Sequence, residues 1–133
     1  MPTIIVDANI MVGALRGRSL PLLAALAERM PVVTPVPQLA ETQKTLNRLG
    51  HGDTAARMRN LLSIVAPLPL GLYAHMEAKA RERLQPHGQP DWPLLAAALA
   101  LGGHIWSRDG DLFGTGVPLW FTRNIQFVEA DLP

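Results

Sequence analysis

The chain has 133 residues, of which 48% are hydrophobic and 17% charged, and its formal net charge is +1. That length suits a single domain over residues 1–133 and leaves too little chain for two independent cores. There is no cysteine, which excludes disulfides, thiolate metal sites and a cysteine nucleophile and points to a reducing compartment, the cytoplasm.

The chain begins Met1-Pro2-Thr3-Ile4-Ile5-Val6, with neither a basic segment nor a long apolar one, so no signal peptide is expected. Thr3 to Val6 is β-branched and apolar without polar alternation, the pattern of a strand buried on both faces of a parallel sheet. Ser19 is a candidate N-cap for a helix over about 20–29, with Leu22, Leu23, Leu26 and Ala27 as its buried stripe. Pro31-Val32-Val33-Thr34 predicts the second strand. A helix follows Pro37, turning Leu39, Leu46 and Leu49 inward and stopping at Gly50. Asp53 can cap the next helix, whose apolar face holds Met58, Leu61 and Leu62. Ile64-Val65-Ala66 predicts a short third strand, ended by Pro67 and Pro69. The uncharged stretch from Leu61 to Met76 is broken by these prolines and Gly71 and is shorter than the roughly 20 residues of a membrane span, so a soluble protein without membrane contact is expected.

Tyr73, Met76, Ala80 and Leu84 predict one side of a further helix, followed by a turn-rich loop from Gln85 to Pro90. Pro93 suits the start of a helix over Leu94 to Leu101 that is almost wholly apolar and therefore buried. Gly102-Gly103 ends it. His104 to Ser107 and Leu119 to Thr122 predict the fourth and fifth strands. Strands alternating with helices predict an α/β fold, with a central parallel sheet covered on both faces.

Two acids fall directly after predicted strands: Asp7 after the first and Asp109 after the fourth. Asp91 precedes the buried helix, and Glu41 sits near the start of another helix. In open parallel sheets ligands bind at the carboxyl ends of strands, where these four carboxylates can meet. Clustered like charges are costly without a neutralising cation, and hard oxygen donors suit Mg²⁺ or Mn²⁺. Other readings compete at single positions. Asp91 before a Pro-initiated helix is a common N-cap, and Asp109 with Asp111 around Gly110 can be a simple turn. The basic residues are nearly all arginine, the only lysines being Lys44 and Lys79. Arg16, Arg18 and Arg108 lie near the predicted site and could reach phosphates, although a solvated surface accounts for each equally well. His51, His75, His87 and His104 show no pairing at metal-ligand spacing.

Val6-Asp7-Ala8-Asn9-Ile10, Gln38-Leu39-Ala40-Glu41, Asp91-Trp92-Pro93-Leu94-Leu95-Ala96-Ala97-Ala98 and Ser107-Arg108-Asp109-Gly110-Asp111-Leu112-Phe113 resemble, in order and spacing, the acidic motifs of the PIN domain family. The resemblance implies a three-layer α/β/α sandwich and a Mg²⁺- or Mn²⁺-dependent nuclease for single-stranded RNA, with one or two ions. It implies catalysis and metal binding by Asp7, Glu41, Asp91 and Asp109, with Asp111 as a further candidate ligand and Asn9 and Ser107 orienting the ligands. Many bacterial and archaeal members are toxins of the VapC kind paired with an antitoxin protein, so an antitoxin and a homodimer are the expected partners. Ala8 departs from the small hydroxyl residue usual there, and Leu112 separates Asp111 from Phe113 where the family places the aromatic next to the second acid. A phosphotransfer or receiver domain would want a second acid beside Asp7 and a late lysine, but Asn9 stands there and no lysine follows Lys79. A PIN-like fold kept as a protein- or RNA-binding module is the other alternative.

Overall fold

The computed structural model describes residues 2–50 and 52–131, the side chains of residues 129–131 excepted. Strand β1 (Ile4–Val6) is wholly buried, as its unbroken apolar run requires. Strands β2 (Val32–Pro35), β3 (Ala66–Leu68), β4 (His104–Trp106) and β5 (Leu119–Trp120) complete a five-stranded sheet in the order β3-β2-β1-β4-β5. Every pairing is parallel, with Ile5 opposite both Val33 and Ile105.

Side chains alternate across the sheet and so divide the core in two. Ile4, Val6 and Trp106 join helices α1 (Ala8–Leu15), α2 (Leu20–Ala27), α3 (Val36–Leu49) and α4 (Thr54–Leu62) on one face. Ile5 and Ile105 pack on the other face against α5 (Glu77–Arg83) and α6 (Trp92–Leu101). The result is the expected three-layer α/β/α sandwich. Helix α6 lies under the sheet with Leu94 to Ala97 fully buried, so it can be apolar all round. It ends at Gly102 with φ +62°, and a Cβ on Gly103 would lie 2.6 Å from the Thr3 carbonyl oxygen. Only glycine lets the chain pass that close to β1. No single helix among the described residues is long and apolar enough to cross a membrane.

Several elements differ from the sequence expectation. Helix α1 was not foreseen: Ala8–Leu15 carries almost no polar face and thus no helical period. The third strand is shifted to Ala66-Pro67-Leu68. It sits at the sheet edge, where a proline leaves no ladder bond unmade. Tyr73 to Leu84 is not one helix but a short 3-10 turn (Ala74–Met76) followed by α5, with another 3-10 turn (Leu70–Leu72) just before it. The fifth strand stops at Trp120, and the predicted loop before α6 is a 3-10 turn over Pro86–Asp91. Leu49 and Leu62 face water rather than the core, at 36% and 47% exposure. Asp53 caps α4 through the Ala56 N–H, whereas Ser19 occupies the N-cap of α2 without a side-chain bond.

Candidate carboxylate site at the sheet switch point

From β1 the chain winds outward through β2 to β3, then crosses to β4 on the other side of β1. Loops leaving β1 and β4 therefore diverge, and a crevice opens between them at their carboxyl ends. Asp7 leaves β1 into this crevice, and Ser107 and Asp109 leave β4 into it.

Asp7 is only 6% exposed. Its backbone N–H donates to the Trp106 carbonyl at 3.0 Å, tying the two strand ends together. Ser107 Oγ donates to Asp7 Oδ2 at 2.5 Å and accepts from the Asp109 N–H at 2.9 Å. Asn9 Nδ2 donates to the same Asp7 oxygen at 3.2 Å, while Asn9 Oδ1 accepts the Arg108 N–H, also at 3.2 Å. The two residues expected to support the site thus both bond Asp7, Ser107 linking it to the Asp109 backbone and Asn9 linking it to the Arg108 backbone. Burial pushes the Asp7 carboxyl above its ordinary range against the bonds from Ser107 and the Ala8 N–H, with Glu41 and Asp109 adding repulsion.

Asp91 stands at the N-cap of α6, but its side chain makes no capping bond. Its carboxyl instead shares a hydrogen bond with Asp109. Burial, that bond and the negative charges of Asp7, Asp109 and Glu41 push Asp91 up to about 8. Burial works to raise Asp109 as well, yet the bonds from Asp91 and Asp111 and the nearby His87 hold it below the usual carboxylate range. At neutral pH the pair therefore shares one proton, and its two ionisations belong to both groups together. Asp91 is a member of the carboxylate cluster and not a helix cap.

Glu41 lies in the second turn of α3, exposed, at the rim of a cavity also lined by Asn9, Arg16, Arg18 and Arg108. The three arginines and a site acid therefore border one groove. Asp111 borders Asp109, whose Oδ1 accepts its N–H at 2.9 Å, and its side chain pairs with His87 Nε2 at 3.0 Å. His75 and His87 are exposed, His104 Nδ1 accepts from the Trp120 indole at 3.0 Å, and His51 lies outside the described residues.

Two contributors were not foreseen. Gln38 Oε1, buried, accepts the Ala8 N–H at 2.9 Å and so satisfies the start of α1 beside Asp7. Thr34 Oγ1 donates to the Val6 carbonyl at 2.7 Å and locks β2 to the last residue of β1. Each bond spans about thirty residues of chain (30 and 28), and no local pattern announces it.

The donor set suits a hard divalent cation, because hard oxygen ligands drive the choice and the acids repel one another enough to raise Asp91. As they stand, no three His, Asp or Glu side chains among the described residues converge on one point, so a cation would bind only if the Asp91–Asp109 proton left and the side chains turned inward.

The pH dependence follows with a definite sign. A carboxyl whose folded pKa is raised binds its proton more tightly in the folded state, so the stability it contributes is lost as pH rises through the folded value. Without metal the protein should melt at falling temperature between about pH 4 and pH 8, the window bounded by the ordinary aspartate pKa and the raised one. Asp91→Asn should flatten that slope and melt at the same or higher temperature in EDTA. It should also lose much of the stabilisation that millimolar Mn²⁺ gives the wild type. The check is a set of melting curves for both proteins across this range, with EDTA or Mn²⁺. An unchanged slope and an unchanged Mn²⁺ shift in the variant would remove Asp91 from the cluster.

The PIN domain family model matches residues 5–130, from β1 through the last 3-10 turn. Similar solved structures include VapBC2 from Rickettsia felis bound to a DNA fragment from the promoter, at TM-score 0.65 and 15% identity, covering 90% of this chain and 98% of that one. A toxin–antitoxin complex from Klebsiella pneumoniae aligns at TM-score 0.64 and 21% identity, covering 84% and 91%. FitAcB from Neisseria gonorrhoeae aligns at TM-score 0.62 and 22% identity, covering 88% and 96%. At these identities the likeness is one of fold. No curated protein matches the sequence. With the family model spanning nearly the whole chain and the family's acidic motifs meeting at one sheet edge, the chain belongs to the PIN domain family.

Proposed function

We propose that this protein is a Mg²⁺- or Mn²⁺-dependent endoribonuclease acting on single-stranded RNA, and the toxin of a toxin–antitoxin pair. The observation that carries the reading is that Asp7, Asp91, Asp109 and Glu41 lie within electrostatic reach of one another at one sheet edge, with one carboxyl driven to about 8, next to an arginine-bordered groove. Such a cluster is unfavourable in a protein with no use for a cation.

Asp7, Asp91 and Asp109 are the residues that would hold the ion, with Glu41 at the rim. When bound, a divalent cation lowers the pKa of a coordinated water and stabilises charge on a phosphodiester. The chain's own residues prepare that chemistry. Ser107 and Asn9 hold Asp7 in one orientation, so its carboxylate does not have to be ordered at the moment of reaction. Asp91, once deprotonated, would serve as an anionic ligand. Arg16, Arg18 and Arg108 border the groove, where their guanidinium groups suit phosphate oxygens. With four of the eleven acids neutralised at the site, twelve lysines and arginines outweigh the remaining acids and favour a polyanion.

An antitoxin partner is supported by the complexes in which the similar folds occur. It is supported also by apolar side chains left on the surface of α3 and α4, Val36 and Leu62 at 47% each. A homodimer through exposed apolar surface is part of the same proposal, as is residence in the cytoplasm, where such an RNA substrate would be met. Expression of the free chain in a bacterial host should arrest growth and fragment RNA, and Asp7→Asn should relieve both. Equal growth of wild type and variant at equal soluble levels, with intact RNA in both, would overturn the toxin nuclease.

A further inference from the structure

The groove beside the carboxylates does not end at Arg108. A second depression, lined by Asn9, Arg18, Arg108 and Thr122, shares residues with the first, and a third is lined by Arg108, Phe121, Thr122 and Arg123. Arg108 borders all three, so the depressions adjoin one another from Glu41 to the segment after β5. Among the described residues Arg16, Arg18 and Arg108 make no ion pair, and Arg123 lies over a ring rather than beside an acid.

That segment carries an unusual surface. Phe113 is 67% exposed, and its ring lies 6.0 Å from that of Phe121. The Arg123 guanidinium sits 4.9 Å from the centroid of the Phe121 ring. The local fold holds this arrangement in place. Leu112, the residue that separates Asp111 from Phe113, is fully buried and anchors the 3-10 turn Gly110–Leu112, so the next side chain points outward. On the other side Thr122 Oγ1 accepts the Trp106 indole N–H at 3.2 Å, and Asn124 Oδ1 accepts the Phe121 N–H at 2.9 Å. An exposed ring, a half-buried second ring and a guanidinium therefore sit on a braced support, next to basic depressions that adjoin one another as far as Glu41.

Exposed aromatic faces flanked by arginines suit unpaired bases, which can stack on them, with the phosphates following the positive charge. A duplex keeps its bases stacked internally and gains little from such a surface. We propose that Phe113, Phe121 and Arg123 form a base-stacking platform for nucleotides beside the scissile phosphate of a single strand, whose phosphates run along Arg108 and Arg18. The inference rests on the single-stranded RNA reading above and adds where the flanking bases lie. It also accounts for the single-strand preference in physical terms: the platform rewards bases only when they are free.

The test uses the full chain carrying Asp7→Asn, so that bound RNA is not cut, and a fluorescently labelled single-stranded RNA of mixed sequence read by anisotropy. Phe113→Ala should weaken binding roughly tenfold, with an unchanged melting temperature, because Phe113 is mostly exposed. Phe113→Trp should restore or exceed the original affinity, while Phe113→Leu should not. Arg123→Gln should weaken binding and lower the salt dependence by about one counterion, and Phe113→Ala should leave that slope alone. Duplex RNA should bind weakly and respond little to Phe113→Ala. In the otherwise wild-type chain, Phe113→Ala should raise KM and leave kcat nearly unchanged. If the wild type cuts single-stranded RNA while Phe113→Ala binds and cuts it with unaltered Kd and KM, the platform is overturned and the nuclease stands. Unaltered RNA affinity together with loss of self-association in sedimentation would assign the surface to protein contact, and would also overturn it. Failure of every form to bind or cut single-stranded RNA would remove the nuclease and the platform together.

Discussion

Asp7→Asn is expected to lower the rate of RNA cleavage by on the order of 10³-fold or more, with the fold retained. A thousandfold loss corresponds to about 4 kcal/mol of transition-state stabilisation, which is within what a positioned cation supplies. Asp7 is the most buried of the four acids and the one bonded to both Ser107 and Asn9, so its charge is the least replaceable by solvent. Stability should change little, by about 1 kcal/mol or less. The asparagine oxygen can still accept from both Ser107 and Asn9, which donate to the same Asp7 oxygen. Against that small loss, the substitution removes a carboxyl that burial disfavours in its charged form. Rate and melting temperature measured on the same preparation separate the two effects. A variant that melts like wild type and cuts at the wild-type rate would exclude Asp7 from the chemistry, and one that fails to fold would show that its role is structural.

Much of this site is readable along the chain because its acids fall where the local pattern breaks. Asp7 ends an apolar β-branched run, and Asp109 follows another such strand, so parallel-sheet geometry alone brings both to one edge. Helix α6 is equally plain, since ten residues with hardly a polar atom can only be buried. Other features are settled only in three dimensions. The segment before α6 is compatible with a cap or a ligand, and what speaks against the cap is an Asp91 side chain that makes no capping bond and interacts with Asp109 instead. Helix α1 escapes notice because burial on nearly every side erases the period that marks an amphipathic helix. The third strand shifts because an edge position tolerates Pro67, and edge status is a property of the whole sheet rather than of the three residues. Gln38 and the Phe113–Phe121 pair are contacts between distant segments and leave no local trace.

Metal removal tests whether the carboxylate cluster needs a cation before it can act. The measurement is cleavage of a single-stranded RNA pool by the purified wild-type protein in excess EDTA, and again after millimolar Mn²⁺ or Mg²⁺ is restored. Protein carrying Asp7→Asn, purified in parallel, serves as the control for contaminating nuclease. The account predicts that EDTA lowers the rate by about 10²-fold or more and that either ion restores it, more fully above the pH at which Asp91 gives up its proton than below it. Cleavage at the full rate in excess EDTA, absent from the Asp7→Asn control, would contradict it.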